Sequence, residues 1–399
     1  MNKSIIRVAL VSGGLGFGGT TTFLLNLASG LLKADVPCEI YSFAQANSFA
    51  AEFAAAGITV HTCDERRFIF EDRLIQTFAA LGNFKPTVAV ANIGCEAYEI
   101  LRYLPQGVLR VGMIHDRVMQ PDRLIPAYRD VLDQVVVVAT YLVDDVRAAS
   151  PDVPCTYLAH GIPIPAGLAP REPNLTEPLK LIYFGRLLEG KGSRLFPQII
   201  DVLHQRRIPF RWTIHGRGED GVYLHQRLAN EIASGEVTMS TPLSREQLLQ
   251  LVRRHDIYML ASDNEGGPLT LLEAMTLGLI PVCGDIPCLV QEVVSSENGF
   301  RVPRNVPVAY AEIVARLHQD RPLLERLSAA ARQAITTHFT VEAMAQRYVN
   351  FFTANVRTVT PNQSWPKRIE PKVMRGADSH WLSLPVLRPL RRLVKQFQR

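Results

Sequence analysis

The chain has 399 residues, 47% of them apolar and 20% charged; this excludes a wholly disordered or collagenous protein and suits two globular domains better than one ordinary core. Its formal charge of +5 sits at one end: residues 360–399 hold nine Lys/Arg and two Asp/Glu, a net +7, which leaves 34 basic against 36 acidic residues, a net −2, in the remainder. A body so near neutrality carries no electrostatic footprint for nucleic acid.

No run of about eighteen uncharged apolar residues occurs, so the body is expected in the cytosol. The six cysteines (Cys38, Cys63, Cys95, Cys155, Cys283, Cys288) are scattered, with no C-x-x-C pair and no Cys/His cluster at metal spacing. They read as buried thiols, and no metal site is expected.

In chain order, Ile5–Val11, Cys38–Tyr41, Ile58–His61, Thr87–Ala91, Val108–Ile114 and Gln134–Val138 are short, apolar, β-branched runs separated by amphipathic stretches. Near-continuous apolarity predicts strands covered on both faces, hence a parallel sheet with crossover helices over residues 1–161. Five prolines (Pro163, Pro165, Pro170, Pro173, Pro178) then interrupt every period and mark 162–178 as a linker.

The alternation restarts over 179–338. Strands are expected at Leu179–Phe184, Phe210–Ile214, Glu236–Met239, Asp256–Ala261 and Leu279–Cys283, and helices near Ser193–His204, Ser244–Arg253, Leu269–Leu277 and Pro322–Thr337. Two successive βαβα runs predict an α/β fold of two doubly wound, Rossmann-like domains facing each other across a cleft. A helix over 339–356 is predicted to cross back to the first domain, ahead of a basic tail, 357–399.

The most informative segment is Glu265-Gly266-Gly267-Pro268-Leu269-Thr270-Leu271-Leu272-Glu273-Ala274-Met275, directly after a predicted strand. With Pro268 at the first helical position, Glu265 lies in the loop and Glu273 about one and a half turns into the helix. Gly266 and Gly267 allow close backbone approach, and the helix N-terminus at Leu269 and Thr270 offers N–H groups to a phosphate. The flanking carboxylates suit sugar or ribose hydroxyls.

Glu265 to Ala274 resembles the signature E-G-x-G/P-x-x-x-x-E-A of retaining glycosyltransferase family four, the group 1 glycosyl transferases of the GT-B fold. The resemblance implies that Glu265 contacts the donor sugar and Glu273 the nucleotide ribose. Gly185-Arg186-Leu187-Leu188-Glu189-Gly190-Lys191-Gly192 is similar to the family's G-R-L-x-x-x-K-G segment, which implies that Arg186 and Lys191 bind the diphosphate and stabilise the leaving group. Gly216, in His215-Gly216-Arg217-Gly218, falls where the family has a glycine loop, with a structural role and nucleotide contact equally open.

In the first domain, Gly13-Gly14-Leu15-Gly16-Phe17-Gly18-Gly19 departs from a clean dinucleotide fingerprint, and no acidic residue follows Tyr41 to hold an adenosine ribose. The resemblance instead sets Gly14, Gly16 and Gly18 beside the donor diphosphate and the acceptor. His115, at the end of a predicted strand, resembles the family histidine directed at the donor sugar; Asp116 either orients it or caps the next segment. Leu158-Ala159-His160-Gly161-Ile162 is similar to the family's N-G-I/V turn, with His160 replacing the usual asparagine.

The resemblance spans roughly Ile5 to Val356 and implies a metal-independent, retaining transfer from a nucleotide diphosphate sugar to a glycan, lipid-linked or small-molecule acceptor, with no further cofactor. A sugar-nucleotide epimerase of the same fold and a catalytically silent sugar-nucleotide-binding scaffold are the competing readings. In the tail, Leu390, Leu393, Val394 and Phe397 share one helical face, Arg391, Arg392, Lys395 and Arg399 the other, and Trp381, Leu382 and Leu384 precede them. That pattern suits peripheral attachment to an anionic membrane through 381–399.

Overall fold

The computed structural model describes residues 6–356, apart from 17, 46–48, 66–67, 166, 173, 175 and 241–242, together with 365, 366 and 369. The membrane-binding pattern at 381–399 lies outside the described residues. The chain divides into two units: Met1–Val138, Leu142–Gly161 and Val341–Arg399 make the first, Ala139–Tyr141 and Ile162–Thr340 the second.

The first unit is built on β1 (Val8–Ser12), β2 (Cys38–Ser42), β3 (Thr59–Thr62), β4 (Val88–Ala91), β5 (Leu109–Ile114), β6 (Gln134–Val137) and β7 (Cys155–Tyr157). They lie in the order β3-β2-β1-β4-β5-β6-β7, every pairing parallel. All residues of β1 and β4 are buried, as central strands with helices on both faces must be. The second unit repeats the plan with β8 (Leu179–Phe184), β9 (Phe210–His215), β10 (Val237–Ser240), β11 (Ile257–Leu260), β12 (Ile280–Gly284) and β13 (Phe300–Val302). Their order is β10-β9-β8-β11-β12-β13, again all parallel.

Both sheets are doubly wound, and in each the chain reverses direction across the sheet at one point, between β1 and β4 and between β8 and β11. Loops leaving the carboxyl ends of those neighbouring strands part to opposite faces and leave a crevice, the place such sheets bind ligands.

Two strands escape the sequence pattern. Each of β7 and β13 is three residues long, carries partly exposed residues and lies at a sheet edge, so neither presents the apolar run that marks a buried strand. The proline-interrupted stretch 162–178 is anchored on the second unit where it is described. The Arg171 side chain, 2% exposed, pairs with Asp256 at 2.9 Å and with Glu325, and its Nε donates to Ser328 Oγ at 3.1 Å. The helix Val341–Asn355 belongs to the first unit and packs on the opening helix Gly19–Lys33. Asn26, on that opening helix, donates to the Gly161 carbonyl at 3.0 Å.

Candidate functional site

In the second unit the loops after β8 and β11, which flank the point of reversal, bring Lys191 and Glu265 together. Lys191 Nζ lies 2.7 Å from Glu265 Oε1, and the Ser262 hydroxyl donates to the same oxygen at 2.8 Å. The two side chains are 22% and 13% exposed, so the pair is sheltered yet reachable. Tyr141 donates through its hydroxyl to the Glu265 carbonyl at 3.1 Å and fixes the loop backbone there.

Backbone fit sets this approach. Gly192 follows Lys191 with φ of 72°, and a Cβ there would come 2.0 Å from the Ala261 carbonyl oxygen, so only glycine lets the turn press against the end of β11. The Asp263 N–H donates to the Gly190 carbonyl at 3.1 Å and closes the same contact. At Gly216 a Cβ would stand 1.9 Å from the Gly185 carbonyl oxygen. Gly216 thus lets the β9 loop pack closely against the β8 loop. Arg186 is exposed, with its carbonyl fixed by the Tyr183 hydroxyl at 2.6 Å.

The helix after Glu265 runs Leu269–Thr276, and Pro268 occupies the capping position before it (φ −66°, ψ 99°) rather than the first helical turn. An extended ψ at Pro268 ends the loop one residue later than the sequence suggests. Gly266 accepts from the Leu289 N–H at 2.9 Å and Gly267 is partly exposed; the N–H groups of Leu269 and Thr270 open the helix. The Thr270 hydroxyl shares a hydrogen bond with Tyr258 at 2.7 Å, which leaves its backbone as the group for a ligand.

Glu273 is buried, with Arg245 Nη1 2.7 Å from its Oε1. Arg245 opens the helix Arg245–Val252, whose Ser244–Gln247 capping box sets its direction. Sequence reasoning missed Arg245 and Tyr141, because each reaches a signature glutamate or its loop only through tertiary structure, and Ser262, three residues before Glu265, because a loop serine has no distinguishing signal.

In the first unit His115 directly follows β5, buried, with Nε2–H donating to Asn92 Oδ1 at 2.6 Å. Burial pushes its pKa down to about 3, so the ring is neutral. His160 stacks on it, centroids 5.7 Å apart and planes 16° off parallel, while Phe23 meets both rings at 5.1 and 5.0 Å. His160 is held well below its ordinary pKa by burial and by His115. Asp116 accepts from the Met119 N–H at 3.3 Å and caps the turn Arg117–Met119.

The glycine loop leaves β1 toward the same end of this sheet. Gly13 N–H donates to the Ile93 carbonyl at 2.6 Å, Ser12 to that of Gly14 at 2.7 Å and Thr21 to that of Gly16 at 2.6 Å. A Cβ at Gly16 or Gly18 would meet nothing within 4 Å, so these two glycines leave open space. Asn92, missed in the sequence, carries a detectable signal: it is the first polar residue after β4, at the point of reversal. Among the described residues no group of three or more His, Cys, Asp or Glu could hold a metal ion, and no helix is long and apolar enough to cross a membrane.

Residues 169–334 match the family model of glycosyl transferases group 1. The amylovoran biosynthesis glycosyltransferase AmsK of Erwinia amylovora is 31% identical over 178 residues, 41% of this chain and 42% of that protein. A GDP-mannose:cellobiosyl-diphosphopolyprenol alpha-mannosyltransferase of Xanthomonas campestris is 30% identical over 154 residues, 38% and 40% of the two chains. The chain thus spans about two fifths of the length of these relatives. Of solved structures, S. aureus TarM superposes with a TM-score of 0.72 at 11% identity, covering 87% of this chain and 100% of its own. Anabaena HepE in complex with UDP and glucose gives 0.71 at 16%, covering 88% and 100%. Both likenesses show the fold, which is GT-B.

Proposed function

We propose, from the match of residues 169–334 to the glycosyl transferases group 1 model, that the chain is a retaining, metal-independent glycosyltransferase that takes a sugar from a nucleoside diphosphate donor. The observation that carries the reading is the Lys191–Glu265 pair at the point of reversal of the second sheet. A cation and a carboxylate 2.7 Å apart suit a ligand that brings an anion and a hydroxyl donor side by side, as a sugar diphosphate does.

In this scheme the donor diphosphate draws Lys191 from Glu265 and recruits exposed Arg186. The two cations stabilise the charge that grows on the leaving phosphate as the glycosidic C–O bond breaks. Freed from Lys191, Glu265 accepts from sugar hydroxyls and offsets the positive charge of an oxocarbenium-like sugar. Glu273 accepts from the ribose. The acceptor attacks from the face the diphosphate leaves, and a donor phosphate oxygen takes its proton, which gives retention. The charge that a metal would supply comes from the chain's own Arg186 and Lys191.

The Xanthomonas relative's name gives GDP-mannose as donor and a diphosphopolyprenol-linked glycan as acceptor, and HepE is solved with UDP; these support a nucleotide-sugar donor and a glycan or lipid-linked acceptor. The test is a panel of UDP- and GDP-sugars with lipid-linked and soluble glycan acceptors in EDTA, with the anomeric configuration of product and donor compared by NMR. Transfer with the same configuration is expected. Inversion, or activity only with added divalent ion, contradicts the scheme; conversion of the sugar nucleotide itself indicates the epimerase, and binding without turnover the scaffold.

We propose further that the Lys/Arg and apolar residues of 389–399 hold the protein beside a lipid-linked acceptor. Flotation with anionic vesicles should carry the full chain, in a salt-sensitive manner, and leave a chain ending at Thr360 behind. Equal, negligible binding by both would remove this attachment.

A further inference from the structure

Of the two signature glutamates, Glu265 has two side-chain partners, whereas Glu273 is buried with Arg245 as its ion-pair partner. The exposures differ: the Glu273 side chain is 6% exposed and that of Arg245 45%, so the guanidinium is the solvent-facing half of the pair. Arg245 Nη1 lies 2.7 Å from Oε1 of Glu273. A ribose offers Glu273 only neutral hydroxyls, which cannot balance a buried carboxylate beside an anionic diphosphate; a guanidinium that stays in place can.

We propose that Arg245 is a positioning residue for the nucleoside half of the donor: it stays paired with Glu273 through Oε1 and presents Oε2 to the ribose hydroxyls. This role rests on the functional reading above. The capping box at Ser244 and Gln247 makes the placement firm, since it fixes the first turn from which Arg245 projects. Lys191 and Arg245 then act in different halves of one ligand, Lys191 on the diphosphate and Arg245, through Glu273, on the nucleoside.

The experiment is calorimetric titration of UDP and GDP into the full chain and into Arg245→Ala, Arg245→Lys, Glu273→Gln and the Arg245→Ala/Glu273→Gln double variant. Thermal unfolding verifies that each is folded. The expected result is a loss of roughly ten- to a hundredfold in affinity for Arg245→Ala, the span of one charge-assisted hydrogen bond. Arg245→Lys should recover most of it. In the Glu273→Gln background, removing Arg245 should cost less than about twofold, because the two act as a unit. With a donor sugar, KM should rise in Arg245→Ala while kcat at saturation stays within about twofold. Wild-type affinity in folded Arg245→Ala, or an undiminished effect in the Glu273→Gln background, would overturn this role and leave the functional reading intact. Failure of the wild-type chain to bind either diphosphate would overturn both.

Discussion

The two sheets share a strand order and use the ends of their strands in opposite ways. In the second unit that end holds charge: Lys191 with Glu265, Arg245 with Glu273 and an exposed Arg186. In the first unit it holds neutral rings and bare backbone, with His115 stacked on His160 against Phe23 and the glycine loop beside open space at Gly16 and Gly18. A charged crevice binds a charged ligand and answers to single-residue charge changes. A neutral, packed one selects by shape and is sensitive to burial and pH. Twin topology therefore carries little information about function, and the side chains at the strand ends carry most of it.

The largest effect expected from breaking the charged side is at Glu265. Glu265→Ala should lower turnover by about a hundred- to a thousandfold, the magnitude for removing one group aimed at a transition state. Thermal unfolding should change little, because the carboxylate lies in a partly exposed loop. Turnover with the best sugar nucleotide measures it, and wild-type activity would dismiss the site. Next, Lys191→Ala should weaken nucleoside diphosphate binding by roughly ten- to a hundredfold while sparing the free nucleoside. Equal loss for both ligands would mean that Lys191 does not act on phosphate.

The neutral side should show itself in acid. His115 and His160 both have folded pKa values below 6.5, that of His115 about 3. In the window from about 6.5 downward the unfolded chain takes protons that the folded chain refuses, so their contribution is complete above pH 6.5 and is lost as pH falls below it, for His115 down to about 3. Each histidine contributes a slope of up to about 1.4 kcal/mol per pH unit there. Urea unfolding of wild type and His160→Asn between pH 6.5 and 4.5 should show a shallower acid loss in the variant; identical slopes would refute burial of a neutral His160.

The smallest expected change in stability sharpens the same contrast. Gly16→Ala meets open space and should leave stability within about 0.5 kcal/mol. Gly216→Ala drives a Cβ into the Gly185 carbonyl and should destabilise the second unit markedly. Equal unfolding curves for Gly16→Ala and Gly216→Ala would refute the assignment of one glycine to open space and the other to packing.

How much of this was legible follows from range. Glu265, Gly266, Gly267 and Glu273 lie on one short segment, so their spacing could be read directly, and Lys191 came from a second local motif. Their partners could not. Arg245 reaches Glu273 from a separate helix, and Ser262 has nothing in its neighbourhood to distinguish it from an ordinary loop serine. Central strands such as β8 were legible to their ends because both faces are buried, while β7 and β13, short and at the sheet edges, had no apolar run to betray them. Pro268 misled by one position because proline fixes φ and leaves ψ free. His160 carried its own signal, a ring where the family has an amide, but its burial against His115 needed the fold.

The central claim is that the second unit's crevice is the donor site, and the most direct measurement is a crystal structure of the chain with UDP or GDP bound. The account predicts a phosphate oxygen within about 3.2 Å of Lys191 Nζ, the Lys191–Glu265 pair opened, Arg186 turned to the diphosphate, and the ribose hydroxyls on Glu273 with Arg245 still attached. A nucleotide bound with the Lys191–Glu265 pair unbroken and Glu273 untouched would contradict it.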